Sequence, residues 1–346
     1  MDLLKELCET SGIPGFEGRL RAIVRRELTP VVDELQVDAL GNLIGIKKQA
    51  GAPKLMIAAH MDEIGFVISH IDDKGWLRVV GLGGHDPRNM MAQRVTVCAP
   101  GGDLTGILHP GVKPPHIASE EERRRQLQVS DFFIDLGLPA AQVKELVKIG
   151  TPVTLQRDFQ TIGDCVSCKA LDDRVALYIM IRAMQQASQF GFETYAVATV
   201  QEEIGLRGAG TSAFGVQPNV GIALDVTVAA DIPGVSEHER VTQVGKGVAI
   251  KILDSSAISH PGLVSFLQTL ADQRSIPWQP EILPRGGTDA GAMQRIRAGV
   301  PVATLSIPTR YLHTSVELVN KADVEATVKL LTAFIEEGNQ ADLSLI

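Results

Sequence analysis

The chain has 346 residues, enough for one large domain or two of ordinary size with an ample core. A net charge of -8, with 45% apolar and 21% charged residues, argues against a nucleic-acid footprint, and no run of about eighteen apolar residues marks a membrane span. Four cysteines do not make a disulfide scaffold, and the N-terminus MDLLKELCETSGIPG lacks the basic region and long apolar stretch of a signal peptide, so the cytoplasm is the expected compartment.

Taken in chain order, LLKELCE (3–9) and EGRLRAIVRREL (17–28) carry apolar residues at helical spacing. VVDELQVDALGNLIGIKK reads as a strand pair around Gly41-Asn42. KLMIAAH (54–60) is a short continuous apolar run, the pattern of a parallel strand buried on both faces. From about 67 to 163 the texture changes to short alternating stretches punctuated by Gly and Pro, which predicts a small antiparallel barrel or sandwich with one helix at 139–148. A charged segment, KPPHIASEEERRRQLQ, sits within it; its RRR follows EE and reads as a solvated mixed-charge loop. Cys165 and Cys168 form a C-x-x-C without a second pair, which favours a structural role over zinc or redox use.

Beyond 170 the α/β pattern returns. RVALYIMIRAMQQAS, GLVSFLQTLADQRS and DVEATVKLLTAFIEEGN read as helices; TYAVATVQEE, VGIALDVT and VPVATLSIP read as strands. The simplest organisation is an α/β domain in two pieces, 1–66 and 164–346, with a β-rich domain, 67–163, inserted between them.

Polar residues gather where these strands end. His60 closes KLMIAAH, with Asp62 just after; Glu202 and Glu203 close TYAVATVQEE; Asp225 lies in VGIALDVT; His313 follows VPVATLSIP; Asp172 and Asp173 precede the helix of 175–188. Each has an ordinary reading: a hydrogen-bonded loop His, a solvated acid pair, an N-cap Asp. Together they fall on the side where open α/β sheets bind ligands, beyond the carboxyl ends of the strands. Two neutral histidines and the carboxylates Asp172, Glu203 and Asp225 bring a charge of about -3, which two divalent cations and one bridging hydroxide neutralise. Mixed imidazole and carboxylate ligands suit Zn, Co or Mn. Asp62 is placed to orient His60 through its second ring nitrogen. Glu202, adjacent to a ligand and not needed as one, is the expected general base. Strict strand alternation would separate Glu202 from Glu203, so the strand should end near Gln201.

These segments (AHMDEIGF, KALDDR, QEEIGLRGA, ALDVT, GGTDAGAM and the His of RYLHT) resemble, in order and over nearly the whole chain, the glutamyl aminopeptidase family of co-catalytic metallopeptidases, whose best-known members are the tetrahedral (TET) aminopeptidases. The resemblance implies a zinc-aminopeptidase-like mixed sheet flanked by helices. It implies two metal ions, one on His60 and Asp225 and the other on Glu203 and His313, bridged by Asp172 as the first acid of ALDDR. It makes Glu202 the base, Asp62 an orienting acid, and residues 67–163 a dimerisation domain whose dimers build twelve-subunit tetrahedra. The implied substrates are peptides with a free N-terminus. GGHDPR (83–88) has no role in this scheme. Some members of the family carry an endoglucanase label, but glycoside hydrolysis needs two free carboxylates flanking the bond, and aromatic residues are only 4% here, with two Trp to stack on sugars. A non-enzymatic scaffold with structural metals is disfavoured by the absence of thiolates from the site. Side-chain preference is left open; loops near 231–240 and 286–293, with Arg240 or Arg285, are the expected pocket walls.

Overall fold

The computed structural model describes residues 1–114 and 116–344. Among them an eleven-stranded sheet runs in the order Glu34–Val37, Leu43–Lys47, Glu193–Thr199, Lys54–His60, Val220–Val228, Val302–Arg310, Glu317–Asn320, Cys165–Cys168 and Gln160–Ile162, and Val248–Leu253 with Trp278–Ile282 branches from the Val302–Arg310 strand. Its four central strands are parallel: Glu193–Thr199 on Lys54–His60, then Val220–Val228, then Val302–Arg310. Their side chains are buried almost throughout, because helices cover both faces. Helices Leu171–Gln186 and Lys321–Glu337 pack on one face with Asp2–Glu9, Gly18–Leu28 and Pro261–Gln273, while Arg207–Val216 and Asp289–Gln294 close the other. The fold is therefore the mixed, helix-flanked sheet expected.

Between the Lys54–His60 strand and the Leu171–Gln186 helix, six strands close into a barrel in the order Gly65–Ile71, Leu77–Leu82, Phe132–Asp135, Gly102–Pro110, Gln93–Ala99 and Pro152–Leu155. It has a core of its own around Phe66, Leu77, Val95, Leu108, Phe132 and Ile134. The expected helix near 139–148 is Ala140–Leu146. One boundary differs. Gln160–Ile162, assigned above to the inserted segment, pairs with Cys165–Cys168 in the large sheet, so the barrel strands end at Leu155. Period-two texture is common to both sheets, and only the pairing partner separates them.

Local patterning missed several elements. Arg207–Val216 (RGAGTSAFGV) is rich in Gly and poor in strong helix formers. Packing dictates it: a Cβ on Gly208 would come within 2.3 Å of Asn42 Oδ1 and 2.5 Å of the Val200 carbonyl. Val248–Leu253 and Trp278–Ile282 also escaped; they pair in parallel and carry the buried ion pair of Lys251 Nζ with Glu281 Oε1 at 3.1 Å.

Candidate metal centre

Parallel register brings the first two donors together. Ala58 lies opposite Ala223. Two residues further on, His60 and Asp225 fall on the same face of neighbouring strands, since side chains alternate with period two. His60 ends its strand and is 2% exposed. Its Nε2 lies 3.1 Å from Asp172 Oδ1, and its Nδ1 donates to the Asp62 backbone carbonyl at 2.9 Å.

Asp62 departs from the expected arrangement. Its carboxylate stands 3.6 Å from His60 Nδ1, beyond a good hydrogen bond. It instead accepts the backbone N–H of Glu202 and of Glu203, each at 3.0 Å. The ring of His60 is thus oriented by Asp62's carbonyl, and the carboxylate fixes the turn that carries both glutamates. The strand before that turn ends at Thr199, and Gln201 takes a left-handed φ of 56°. That turn breaks the alternation and lets Glu202 and Glu203 face one cavity, as the sequence demanded.

Asp172 is central. Its Oδ1 meets His60 Nε2 and its Oδ2 lies 3.2 Å from His313 Nε2. Asp173 was expected to cap the following helix. Its side chain accepts the His60 backbone N–H at 3.1 Å and makes no helix cap, because the first residues of that helix have non-helical dihedrals that turn the acid towards the sheet. His313 lies in the loop after Val302–Arg310, at a left-handed φ of 59°. Glu203 Oε1 approaches His313 Nε2 at 3.7 Å, and Glu202 Oε2 approaches His60 Nε2 at 3.9 Å.

Two residues of the site were missed. Glu317, 2% exposed, accepts the His313 N–H with Oε1 at 2.8 Å and the Asp172 N–H with Oε2 at 2.9 Å. It clamps two donors that are 141 residues apart, and nothing in its local spacing announces that. Asp289 of GGTDAGAM accepts the Thr199 hydroxyl at 2.6 Å under the same sheet end.

Charge explains what this arrangement can hold. Burial, then the neighbouring Asp172, drives the carboxyl of Asp225 well above its usual range. Burial and Asp172 push Glu203 up to about 8. Burial, with Asp225 and Glu203 nearby, raises Glu202. Burial lowers His313, but the Asp172 hydrogen bond and Glu203 outweigh it and take the ring to about 10. Asp172 is held low despite burial by its hydrogen bonds from His313 and His60. The acids outnumber the cations near them, and buried unpaired charge is costly. Glu203 Oε1 and Asp173 Oδ1 are buried without a hydrogen-bond partner. A divalent cation would supply both the charge and the missing partner.

The donors form two groups with atoms within 4.8 Å of one another: His60, Asp172, Asp173 and Asp225, and Asp172, Glu203 and His313. Both open on a cavity of about 360 Å³, whose walls include Glu202, Thr227, Lys251, Leu283, Arg285 and Leu312. Of the expected pocket loops, residues 285–288 line it, whereas 231–240 do not.

Fold and donor set together define an α/β protein able to hold metal at the open end of its sheet. The family model for M42 glutamyl aminopeptidase matches residues 41–330, and the chain belongs to that family. The chain is 39% identical to a lysyl aminopeptidase of Pyrococcus furiosus over 349 residues, covering 99% of each. It superimposes on a TET aminopeptidase from a marine-sediment Thaumarchaeota archaeon with a TM-score of 0.94, at 37% identity, covering 97% of this chain and 95% of that one. It is also similar to Pyrococcus horikoshii TET1 peptidase, which can assemble into a tetrahedron or a large octahedral shell (TM-score 0.86, 33% identity, coverage 97% and 99%). A Thermotoga maritima chain described as an endoglucanase is similar as well (TM-score 0.80, 29% identity, coverage 97% of each). The family and the aminopeptidase relatives make the protein a peptide hydrolase and do not favour the glycosidase reading. No helix among the described residues is long and apolar enough to cross a membrane.

Proposed function

We propose that the protein is a dinuclear metal-dependent aminopeptidase that removes single residues from free peptide N-termini. His60 and Asp225 would hold one metal ion, Glu203 and His313 the other, and Asp172 would bridge them. The observation that carries this reading is that, among the described residues, Asp172 alone belongs to both donor groups. Zn, Co or Mn suits these ligands. Two divalent ions there would polarise the scissile carbonyl and render water nucleophilic at neutral pH. Glu202 takes a proton from the attacking water as the O–C bond forms. It returns that proton to the leaving nitrogen as the C–N bond breaks, releasing a free amino acid and a shortened peptide. Asp62 holds the Glu202 and Glu203 backbone in place for that transfer.

Cutting at an end requires recognition of the α-amino group, whose ordinary pKa is about 7.7–8.0. Neutral, it can ligate a metal; charged, it can meet a carboxylate such as Glu202 or Asp225. Acetylation removes both contacts. An unblocked short peptide is therefore expected to be cleaved stepwise, and its N-acetyl counterpart far more slowly. A mass-spectrometric time course on the pair checks this. Equal rates, or internal fragments appearing first, would make the protein an endopeptidase.

Residues of the inserted barrel supply none of the proposed ligands, and we assign them the contact between subunits. Exposed apolar side chains on the barrel, among them Val80, Met91 and Ile107, suit a covered face. By analogy with the assemblies of P. horikoshii TET1, the dimers would build a tetrahedral dodecamer. Light scattering is expected to find a large homo-oligomer, and a monomer at micromolar concentration would contradict the assignment. The free thiols of Cys8, Cys98, Cys165 and Cys168 suit the reducing cytoplasm.

A further inference from the structure

Gly83 and Gly84, the start of the otherwise unassigned GGHDPR segment, leave the barrel strand Leu77–Leu82 and run directly beneath the metal-centre donors. The Gly84 carbonyl faces His313 Nδ1 at 3.0 Å. A carbonyl only accepts, so Nδ1 carries the proton and donates, and Nε2 remains as the one nitrogen facing Asp172 and Glu203. Contact this close demands the absence of a side chain. A Cβ on Gly84 would stand 2.9 Å from His313 Nδ1. A Cβ on Gly83 would stand 2.6 Å from Ile64 Cγ2 and 3.1 Å from Glu203 Oε2, at a φ of +85° that L side chains rarely adopt.

A second contact from the same side holds the His313 loop. The buried Ser315 hydroxyl meets Gln93 Oε1 at 3.1 Å and Arg157 Nη2 at 3.2 Å. Gln93 opens a barrel strand, and Arg157 follows the last one.

From these contacts we infer that the barrel has a role beyond assembly: it positions His313 for the second metal ion, with Gly84 as the orienting residue and Ser315 as the anchor of the loop. This rests on the ligand role proposed above for His313. Partners of a ligand histidine's far nitrogen set its tautomer and ring orientation, and their loss typically lowers metal affinity by about 10–100-fold.

The test substitutes Gly84→Ala in the full-length protein. Gly84 has no left-handed φ, so the new methyl acts on His313 and does not strain the backbone. Metal-stripped protein is titrated with cobalt(II), following stoichiometry and the visible spectrum, with thermal unfolding of the stripped form and light scattering alongside. Gly101→Ala, where a Cβ meets nothing within 4 Å, is the control. Gly84→Ala is expected to bind its second cobalt about 10–100-fold more weakly, with an altered spectrum and unchanged assembly and melting. Ser315→Ala is expected to shift the same site in the same direction by less, and it decides the matter if Gly84→Ala does not fold. Wild-type cobalt affinity and spectrum in both variants would overturn the inference while His313→Ala still loses one metal. Retention of both metals by His313→Ala would overturn it by removing the ligand role beneath it.

Discussion

Glu202→Gln is expected to keep both metal ions and lose turnover by about 10²–10⁴-fold, the usual contribution of a general base. Glu202 belongs to neither donor group, yet it lines the same cavity, and its Oε2 lies 3.9 Å from His60 Nε2. Burial raises its carboxyl well above the ordinary range, which moves it towards the proton affinity a base needs near neutral pH. An amide of the same shape preserves packing and the backbone bond to Asp62, but it cannot take up a proton. Metal analysis and steady-state kinetics on the purified variant check this. Near wild-type kcat, or loss of one metal ion, would remove Glu202 from the role.

Asp172→Ala is expected to abolish activity and to empty both sites of metal. The reason is geometric: Asp172 faces His60 with one oxygen and His313 with the other, at 3.1 and 3.2 Å. Among the described residues, no other joins the two donor groups. Asp173→Asn provides the contrast. Asp173 belongs only to the His60 group and accepts the His60 backbone N–H, so the Glu203–His313 site should fill normally in that variant. Metal stoichiometry by elemental analysis separates the two aspartates. Full occupancy in Asp172→Ala, or the loss of both metals in Asp173→Asn, would reverse their roles.

Much of the fold was legible because it rests on local periodicity. The continuous apolar run at 54–60 read as a doubly covered parallel strand, VGIALDVT (220–227) read as a strand, and the change of texture after Phe66 read as a separate β unit. Of the elements that escaped, Arg207–Val216 has weak intrinsic helix preference and forms because its surroundings admit little else. The candidate site was legible for a different reason. Donor chemistry is written in residue type, and an open α/β sheet presents the ends of its strands on one side.

By itself, then, the sequence determined the helix-flanked mixed sheet and the separate run of β-strands inside it, and it singled out His60, Asp172, Glu203, Asp225 and His313, with Glu202 beside them, as the candidate donors that the fold brings to one end of that sheet. Tertiary structure decided how each donor is held. It placed Asp62's carboxylate on the Glu202–Glu203 turn and its carbonyl on His60. It turned Asp173 away from a helix cap, and it joined His313 to Asp172 through Glu317. It also brought Gly84 of the barrel under His313. Apart from the short-range bonds of His60 with Asp62 and of His313 with Glu317, these are contacts between segments more than a hundred residues apart. Residue type and spacing along one segment carry no information about which distant backbone N–H or carbonyl will arrive beside it; only the packed sheet, with its register and its barrel in place, sets those distances.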